Sequence, residues 1–193
     1  AYELSVGLRA AIDLGVDVIN LSLSIDEDAT VIRNLVERAR AAGIVVVAAG
    51  GNTGGSATLP AAYGCVTGVG STDVDVTRLA DFSARGSAVS LAAPGVEILS
   101  AYPGGGWALA SGSSMSAAVT TGAVAVVASS GVDVEEALLR VQRRAVAIQP
   151  LGSVVHGRVD LLRAISTGQR SLPLPVSYED AGIQPTTAKV DQP

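Results

Sequence analysis

The run from Ile44 to Ala49 holds six apolar residues in succession and no polar side chain. A strand that is apolar on both faces is typical of a parallel sheet with helices on both sides. Helical patterns of apolar residues flank this run, ending at Gly15 and spanning Ala29 to Ala42. Three more short strands and a long apolar helix follow, at 65–71, 89–93, 95–102 and 114–130. This order predicts an α/β fold with a doubly wound, mainly parallel sheet.

Composition excludes several classes of protein. Hydrophobic residues make up 48% of the 193 residues, but there is one Phe and one Trp, so Val, Ala, Leu and Ile must fill the core. The net charge is −5 and the only cationic cluster is Arg143-Arg144, which argues against a nucleic-acid partner. No apolar run reaches the length of a membrane span. One cysteine and one histidine exclude an internal disulfide and the usual zinc spacings.

The composition changes after Ser166, which divides the chain in two. Four of the eight prolines lie between 167 and 193, where hydrophobic periodicity is weak. We therefore predict one domain at 1–166 and a proline-containing linker or tail at 167–193. Residue 1 is not followed by a basic segment and an apolar core, so no targeting peptide is visible.

The stretch from Ser111 to Ala118 carries the strongest chemical signal. It follows the glycine-rich loop Gly104-Gly105-Gly106 and begins the long apolar helix. Backbone N–H groups at a helix N-terminus favour negative charge, so a serine there suits a nucleophile whose reaction develops an oxyanion. On the local pattern alone, the alternative that Ser113 is an ordinary helix N-cap is the favoured one, because serine is among the commonest N-caps.

Other polar features carry weaker signals. His156, the single histidine, precedes the last helix, and nothing in its context favours a catalytic base over a solvated loop residue. Asp26-Glu27-Asp28 is interpreted as capping the next helix rather than binding a cation, and Asp133 is interpreted as capping an amphipathic helix at 134–146. Cys65 begins an apolar strand without a neighbouring base and is interpreted as a buried small residue. The glycine-rich loops lack the spacing and the lysine of nucleotide-binding motifs, which excludes a nucleotide-binding domain.

Four ordered segments together resemble the C-terminal part of the catalytic domain of the subtilisin-like serine proteases, the subtilases. The segments extend over about 100 residues and are Gly15 to Leu23, Val45 to Asn52, Ala80 to Ile98 and Ser111 to Met115. The last is similar to the family's S-G-T-S-M signature around its nucleophile. His156 to Ile165 also resembles the helix that closes the family's domain.

The resemblance implies a role for each matching residue. Ser114 would be the nucleophile, and the side-chain amide of Asn52 would stabilise the oxyanion together with the Ser114 backbone N–H. An extended polypeptide substrate would pair with the strand edge at Ser22, Leu23 and Ser24. One wall of the pocket before the scissile bond would consist of Ala48, Ala49 and Gly50. No metal ligand is assigned, no cofactor is required, and the calcium common in the family has no assignable site.

The chain also departs from the family pattern. At five positions this chain carries a residue other than the one usual in the family. They are Ser24, Ser113, Ala118, Val119 and Thr120. The family's order is Asp, His, Ser, and its Asp and His segments do not occur in these residues. By the resemblance they would precede Ala1, so we predict an N-terminally truncated domain whose partner is the missing part of the same domain.

The sequence thus predicts a serine endopeptidase that works through an acyl-enzyme, with this chain supplying Ser114 and Asn52 but not the Asp and His. Without a base, a serine is a weak nucleophile, and the chain alone is predicted to be inactive. The alternative is a non-catalytic subtilase-like module that binds extended peptides. The resemblance implies an extracellular or cell-wall setting.

Overall fold

The computed structural model describes residues 2–166 and 189–190. Five helices follow the chain as α1 (Tyr2–Leu14), α2 (Thr30–Ala41), α3 (Ser113–Ala128), α4 (Val134–Arg143) and α5 (Leu161–Ile165). The strands in the described residues are β1 (Val18–Leu21), β2 (Val45–Ala49), β3 (Thr67–Thr72), β4 (Leu91–Pro94), β5 (Ile98–Tyr102), β6 (Gly106–Ala110), β7 (Gly157–Arg158) and β8 (Lys189–Val190).

The main sheet is parallel and contains β1, β2, β3, β4 and β7 in that order. All five residues of β2 are buried, as its apolar sequence predicts. Val45, Val47 and Ala49 pack with α3 and α4, whereas Val46 and Ala48 pack with α1 and α2. The predicted α/β fold with helices over a mainly parallel sheet is confirmed. Among the described strands the order follows the chain, without the reversal of a fully doubly wound sheet.

Helix α3 lies across the sheet and contacts β1 to β4 as well as α4 and α5. It contains no charged residue, and its seven buried residues run from Ser113 to Val127. A helix that is apolar all round is normally buried on every side. Here the side away from the sheet is exposed and consists of Ala118, Val119, Gly122, Ala125 and Val126.

A second, three-stranded sheet leads the chain into α3. β5 and β6 form an antiparallel hairpin, with Tyr102 opposite Gly106, and β8 lies parallel to β6. The hairpin turn contains Gly104 and Gly105, which adopt φ angles of +87° and +82°. Strand β6 was not predicted, because glycine and alanine dominate its sequence. The linker predicted at 167–193 lies outside the described residues, except for β8.

The helix ends test the capping predictions. Asp133 caps α4 by accepting a hydrogen bond from the Glu136 N–H at 2.8 Å, as predicted. The capping role predicted for Asp26-Glu27-Asp28 is wrong, because the N-cap of α2 is Ala29 and no side chain bonds there. Asp28 instead accepts a hydrogen bond from the Tyr63 hydroxyl at 2.9 Å and pairs with Arg33.

Asp73 follows β3 and gives the fold a pH dependence. The Val74 N–H and the Arg78 guanidinium donate to its carboxylate, both at 2.8 Å, and hold the pKa of Asp73 below its usual value. A lowered pKa in the folded state adds stability above the unfolded-state pKa, and that stability is lost as the pH falls below about 4. We expect Asp73→Asn to unfold at lower urea concentration at pH 7 and to lose less stability on acidification. Equal acid sensitivity of both proteins would contradict this.

Candidate active site

The carboxyl ends of β1 and β2 meet the N-terminus of α3, and a groove of about 740 Å³ lies there. Ligands of parallel α/β sheets bind at this end of the strands. Ser22, Leu23 and Ser24 follow β1, Asn52 follows β2, and Ser114 is the second residue of α3. All five line the groove. The fold therefore brings together most of the residues that the sequence singled out.

The start of α3 is tied to the loop after β2. The N-cap is Gly112, and a Cβ on that residue would lie 3.3 Å from Asn52 Nδ2. The Ser113 N–H donates to Asn52 Oδ1 at 2.8 Å, and Ser113 Oγ accepts from the Gly51 N–H at 3.1 Å. The N-cap interpretation of Ser113 is therefore wrong: Ser113 is inside the helix, and its hydroxyl fixes the loop instead.

Ser114 and Ser22 are joined by reciprocal hydrogen bonds. Ser114 Oγ donates to the Ser22 carbonyl at 3.2 Å, and Ser22 Oγ donates to the Ser114 carbonyl at 2.8 Å. Asn20 Nδ2 donates to Ser22 Oγ at 2.9 Å, and the Thr121 hydroxyl donates to Asn20 Oδ1 at 3.1 Å. Asn20 and Thr121 were missed from the sequence, although an asparagine inside an apolar strand is a usable signal. These contacts hold the end of β1 against α3.

The geometry suits the stabilisation of a negatively charged oxygen. Asn52 Oδ1 is held by the Ser113 N–H, which fixes the plane of the amide and leaves Nδ2 as its donor. An N–H group in the first turn of a helix has no carbonyl partner one full turn earlier, and Ser114 is in that turn. Preorganised donors of this kind stabilise the oxyanion of a tetrahedral intermediate.

A group of buried serine hydroxyls connects the start of α3 to the sheet. Ser116 Oγ donates to Ser71 Oγ at 3.0 Å, and Ser83 Oγ accepts from the Ser71 N–H at 2.8 Å. All three serines are fully buried. Gly95 covers them closely: a Cβ there would lie 2.2 Å from Ser116 Oγ and 2.6 Å from Ser71 Oγ. The first turn of α3 is thus anchored to β3, a connection that the sequence did not reveal.

The residues of the predicted wall, Ala48, Ala49 and Gly50, differ in where they lie relative to the groove. Ala49 and Gly51 line the groove, but Ala48 is fully buried and faces the α1–α2 layer. Gly50 is buried too, with its Cβ position 2.8 Å from the Val69 carbonyl oxygen. Because successive residues of a strand face opposite sides, Ala48 cannot share the face of Ala49. Of the three residues, Ala49 lines the groove, together with Gly51, and the pocket wall itself stays a prediction.

His156 lies at the opposite end of the sheet. Its N–H donates to the Ser90 carbonyl at 2.9 Å, immediately before β4 and β7 begin, and its side chain is exposed. Ser114 lies beyond the carboxyl ends of the strands, so the fold separates the two residues. This agrees with the interpretation of His156 as a loop residue.

Cys65 lies at that far end as well. It is half-buried and lines a cavity of about 490 Å³ beside the beginnings of β2 and β3. Burial raises the pKa of its thiol, with a smaller contribution from Glu37. A raised pKa lowers the fraction of thiolate at neutral pH and slows its reactions. The predicted burial of Cys65 holds only in part, because the residue is half-buried.

The described residues contain no group of three His, Cys, Asp or Glu side chains that could hold a metal ion. Within the same part of the chain, none of the helices combines the length and the hydropathy needed to cross a membrane.

Comparison with known proteins decides the family. A family model described as the Subtilase family matches residues 2–145. The chain belongs to the subtilase family. It is 40% identical over 166 residues to the thermophilic serine proteinase of Bacillus sp. (strain AK1), covering 85% of the chain and 41% of that protein. It is 39% identical over 128 residues to subtilisin DY of Bacillus licheniformis, covering 64% of the chain and 46% of that protein.

Solved subtilase structures show the same fold. The patellamide maturation protease PatA superposes with a TM-score of 0.76 at 28% identity, over 84% of this chain and 66% of that one. The resemblance seen in the sequence to the subtilases, a family of serine proteases and hence of hydrolases, is thereby confirmed. It spans less than half the length of the two curated relatives.

Proposed function

We propose that this chain supplies the nucleophile and the oxyanion hole of a secreted serine endopeptidase. The observation that carries the proposal is the 2.8 Å bond between the Ser113 N–H and Asn52 Oδ1. It supports an Asn52 amide held beside the helix N-terminus at Ser114, where donors to an oxyanion are needed. Membership of the subtilase family supports the same conclusion.

In the proposed reaction, Ser114 Oγ attacks the scissile carbonyl of an extended polypeptide. A general base takes the hydroxyl proton and returns it to the leaving amine, and water then hydrolyses the acyl-enzyme. Asn52 Nδ2 and the Ser114 N–H stabilise the oxyanion of each tetrahedral intermediate. The 740 Å³ groove lined by Ser22, Leu23 and Ser24 receives the substrate chain.

Substrate binding would also release the nucleophile. The Ser22 carbonyl accepts a hydrogen bond from Ser114 Oγ in this structure. A backbone N–H of an extended substrate that paired with Ser22 would take over that acceptor. The Ser114 hydroxyl would then be free to turn toward its base.

The base and its carboxylate partner are proposed to come from a part of the domain outside these residues. The chain contains one histidine, His156, and the sheet separates it from Ser114. The same missing part would cover the exposed apolar side of α3. We propose that the 193 residues are inactive without it and that catalysis needs no cofactor.

A non-catalytic peptide-binding module is the second candidate. One observation favours it: Ser114 Oγ is engaged by a main-chain carbonyl, which accepts a hydrogen bond but is no base for the hydroxyl proton. The Asn52 contact with the start of α3 favours the enzyme, because peptide binding alone has no need of an oxyanion hole.

A serine-directed fluorophosphonate separates the two candidates. The protein should be produced from the longest reading frame that contains this chain and treated with the reagent. We expect stoichiometric labelling at Ser114 and none in Ser114→Ala, while Ser129→Ala, altered at the far end of α3, is labelled like wild type. An unlabelled Ser114 in a protein that still binds peptides would establish the binding module instead.

A further inference from the structure

The groove in front of Ser114 carries negative charge that is not neutralised by its own walls. Asp26 and Glu97 both line it, and the described residues around it include no Lys, Arg or His. Both carboxylate residues are exposed. A cleft lined by one sign of charge attracts ligands of the other sign and repels those of its own.

Asp26 lies on the β1 side of the groove. It follows Ser24 by two residues and so extends the segment proposed to pair with the substrate backbone. Neighbouring Asp28 is paired with Arg33, whereas no ion pair within 4.0 Å joins Asp26 to an arginine of the described chain. The charge of Asp26 is therefore available to a bound ligand.

Glu97 lies on the hairpin side, between β4 and β5. Its N–H donates to Ser111 Oγ at 2.9 Å, which fixes it relative to the segment that leads into Ser114. Its φ angle is +53°, in a region that non-glycine residues seldom occupy. Residues 2–166 provide no arginine within 4.0 Å of this carboxylate either.

We propose that the substrate class of this groove is cationic polypeptide, with Asp26 and Glu97 as the residues that determine the preference. An extended chain lying in the groove passes between a carboxylate that follows β1 and one that precedes β5. Lysine or arginine side chains on that peptide gain an attraction that neutral side chains lack, and acidic side chains are repelled. The inference rests on the proposed function, because it takes this groove as the substrate site.

Equilibrium binding tests the proposal without requiring hydrolysis. Two octapeptides of alanine and leucine, one with two lysines and one with two glutamates, carry the same uncharged fluorophore. Their binding to the 193-residue chain is followed by fluorescence anisotropy. We expect the lysine peptide to bind about tenfold more tightly at low salt, the effect of two exposed charge contacts. The difference should shrink to less than twofold in 1 M NaCl, where the Debye length is about 3 Å.

Isosteric variants assign the effect to the two carboxylates. Asp26→Asn combined with Glu97→Gln should bring the two peptides to within about twofold of each other. Glu135→Gln removes one exposed charge on α4, away from the groove, and should preserve the preference. Circular dichroism checks that each variant is folded. Equal affinities in wild type, an undiminished preference in the double variant, or no binding of either peptide would overturn the proposal.

The outcomes also separate this inference from the proposed function. Labelling of Ser114 without a charge preference would support the proposed protease and contradict the cationic specificity. The opposite result would be a charge preference that depends on Asp26 and Glu97 while Ser114 stays unlabelled. It would support a groove that binds cationic peptides and contradict the role of Ser114 as nucleophile.

Discussion

The 193-residue chain alone is expected to hydrolyse peptides about a million-fold more slowly than a protein that also contains the proposed base, the loss found when subtilisin is deprived of its catalytic histidine. The reason is the environment of Ser114. Its hydroxyl donates to the Ser22 carbonyl, and the single histidine lies at the other end of the sheet. Under the proposed function, only the oxyanion donors and substrate binding would remain to accelerate the reaction.

Turnover rates of two proteins and one variant test this expected loss of activity. Turnover of a chromogenic peptide is recorded for the chain, for the longer protein from the same reading frame, and for the chain carrying Ser114→Ala. Because nucleophile and base act as a unit, removing the serine where the base is already absent should change the residual rate little. A chain rate within a thousandfold of the longer protein, lost in Ser114→Ala, would reveal a base within these residues.

Gly95→Ala is expected to lower the free energy of unfolding by about 3 kcal/mol. A Cβ at this position would lie 2.2 Å from Ser116 Oγ and 2.6 Å from Ser71 Oγ. Both hydroxyls are buried and bonded to each other at 3.0 Å, so one must move and lose its partner. The displaced turn begins two residues after Ser114, so labelling at the serine should weaken as well.

Urea unfolding followed by circular dichroism gives the measurement, and Gly122→Ala is the matched control. Nothing lies within 4 Å of a Cβ at Gly122, which is inside α3 and exposed. That substitution should raise the free energy of unfolding by up to about 1 kcal/mol, because alanine is the better helix former. A loss of less than about 1 kcal/mol in Gly95→Ala would mean that the hydroxyls have room to adjust.

The local sequence predicted those elements whose residues favour, on their own, the conformation that they adopt in the fold. The apolar run that became β2 could only be a strand buried on both faces, and Asp133 could cap α4 because its offset from Glu136 suffices. Strand β6 was missed because its glycine and alanine residues form a strand only when paired with β5. Propensity alone does not contain that pairing.

The candidate site stays a prediction, and its basis is different. Ser114 and Asn52 were found through motifs, not through any property of the isolated residues. What the motifs lacked was orientation: which hydroxyl caps α3, and which residues of the stretch after β2 face the groove. Those answers depend on the Gly51–Ser113 bond and on the alternation at Ala48 and Ala49, and both are set by tertiary contacts.

Cys65 is a suitable position for a fluorescent label because of its place in the fold. It is the only thiol in the chain, and the sheet separates it from the groove. A maleimide dye attached there would occupy one defined position, and its raised thiol pKa calls for coupling at mildly alkaline pH. Changes in the emission of such a dye would report the binding of a separately supplied segment that carries the proposed base, while Ser114 remains untouched.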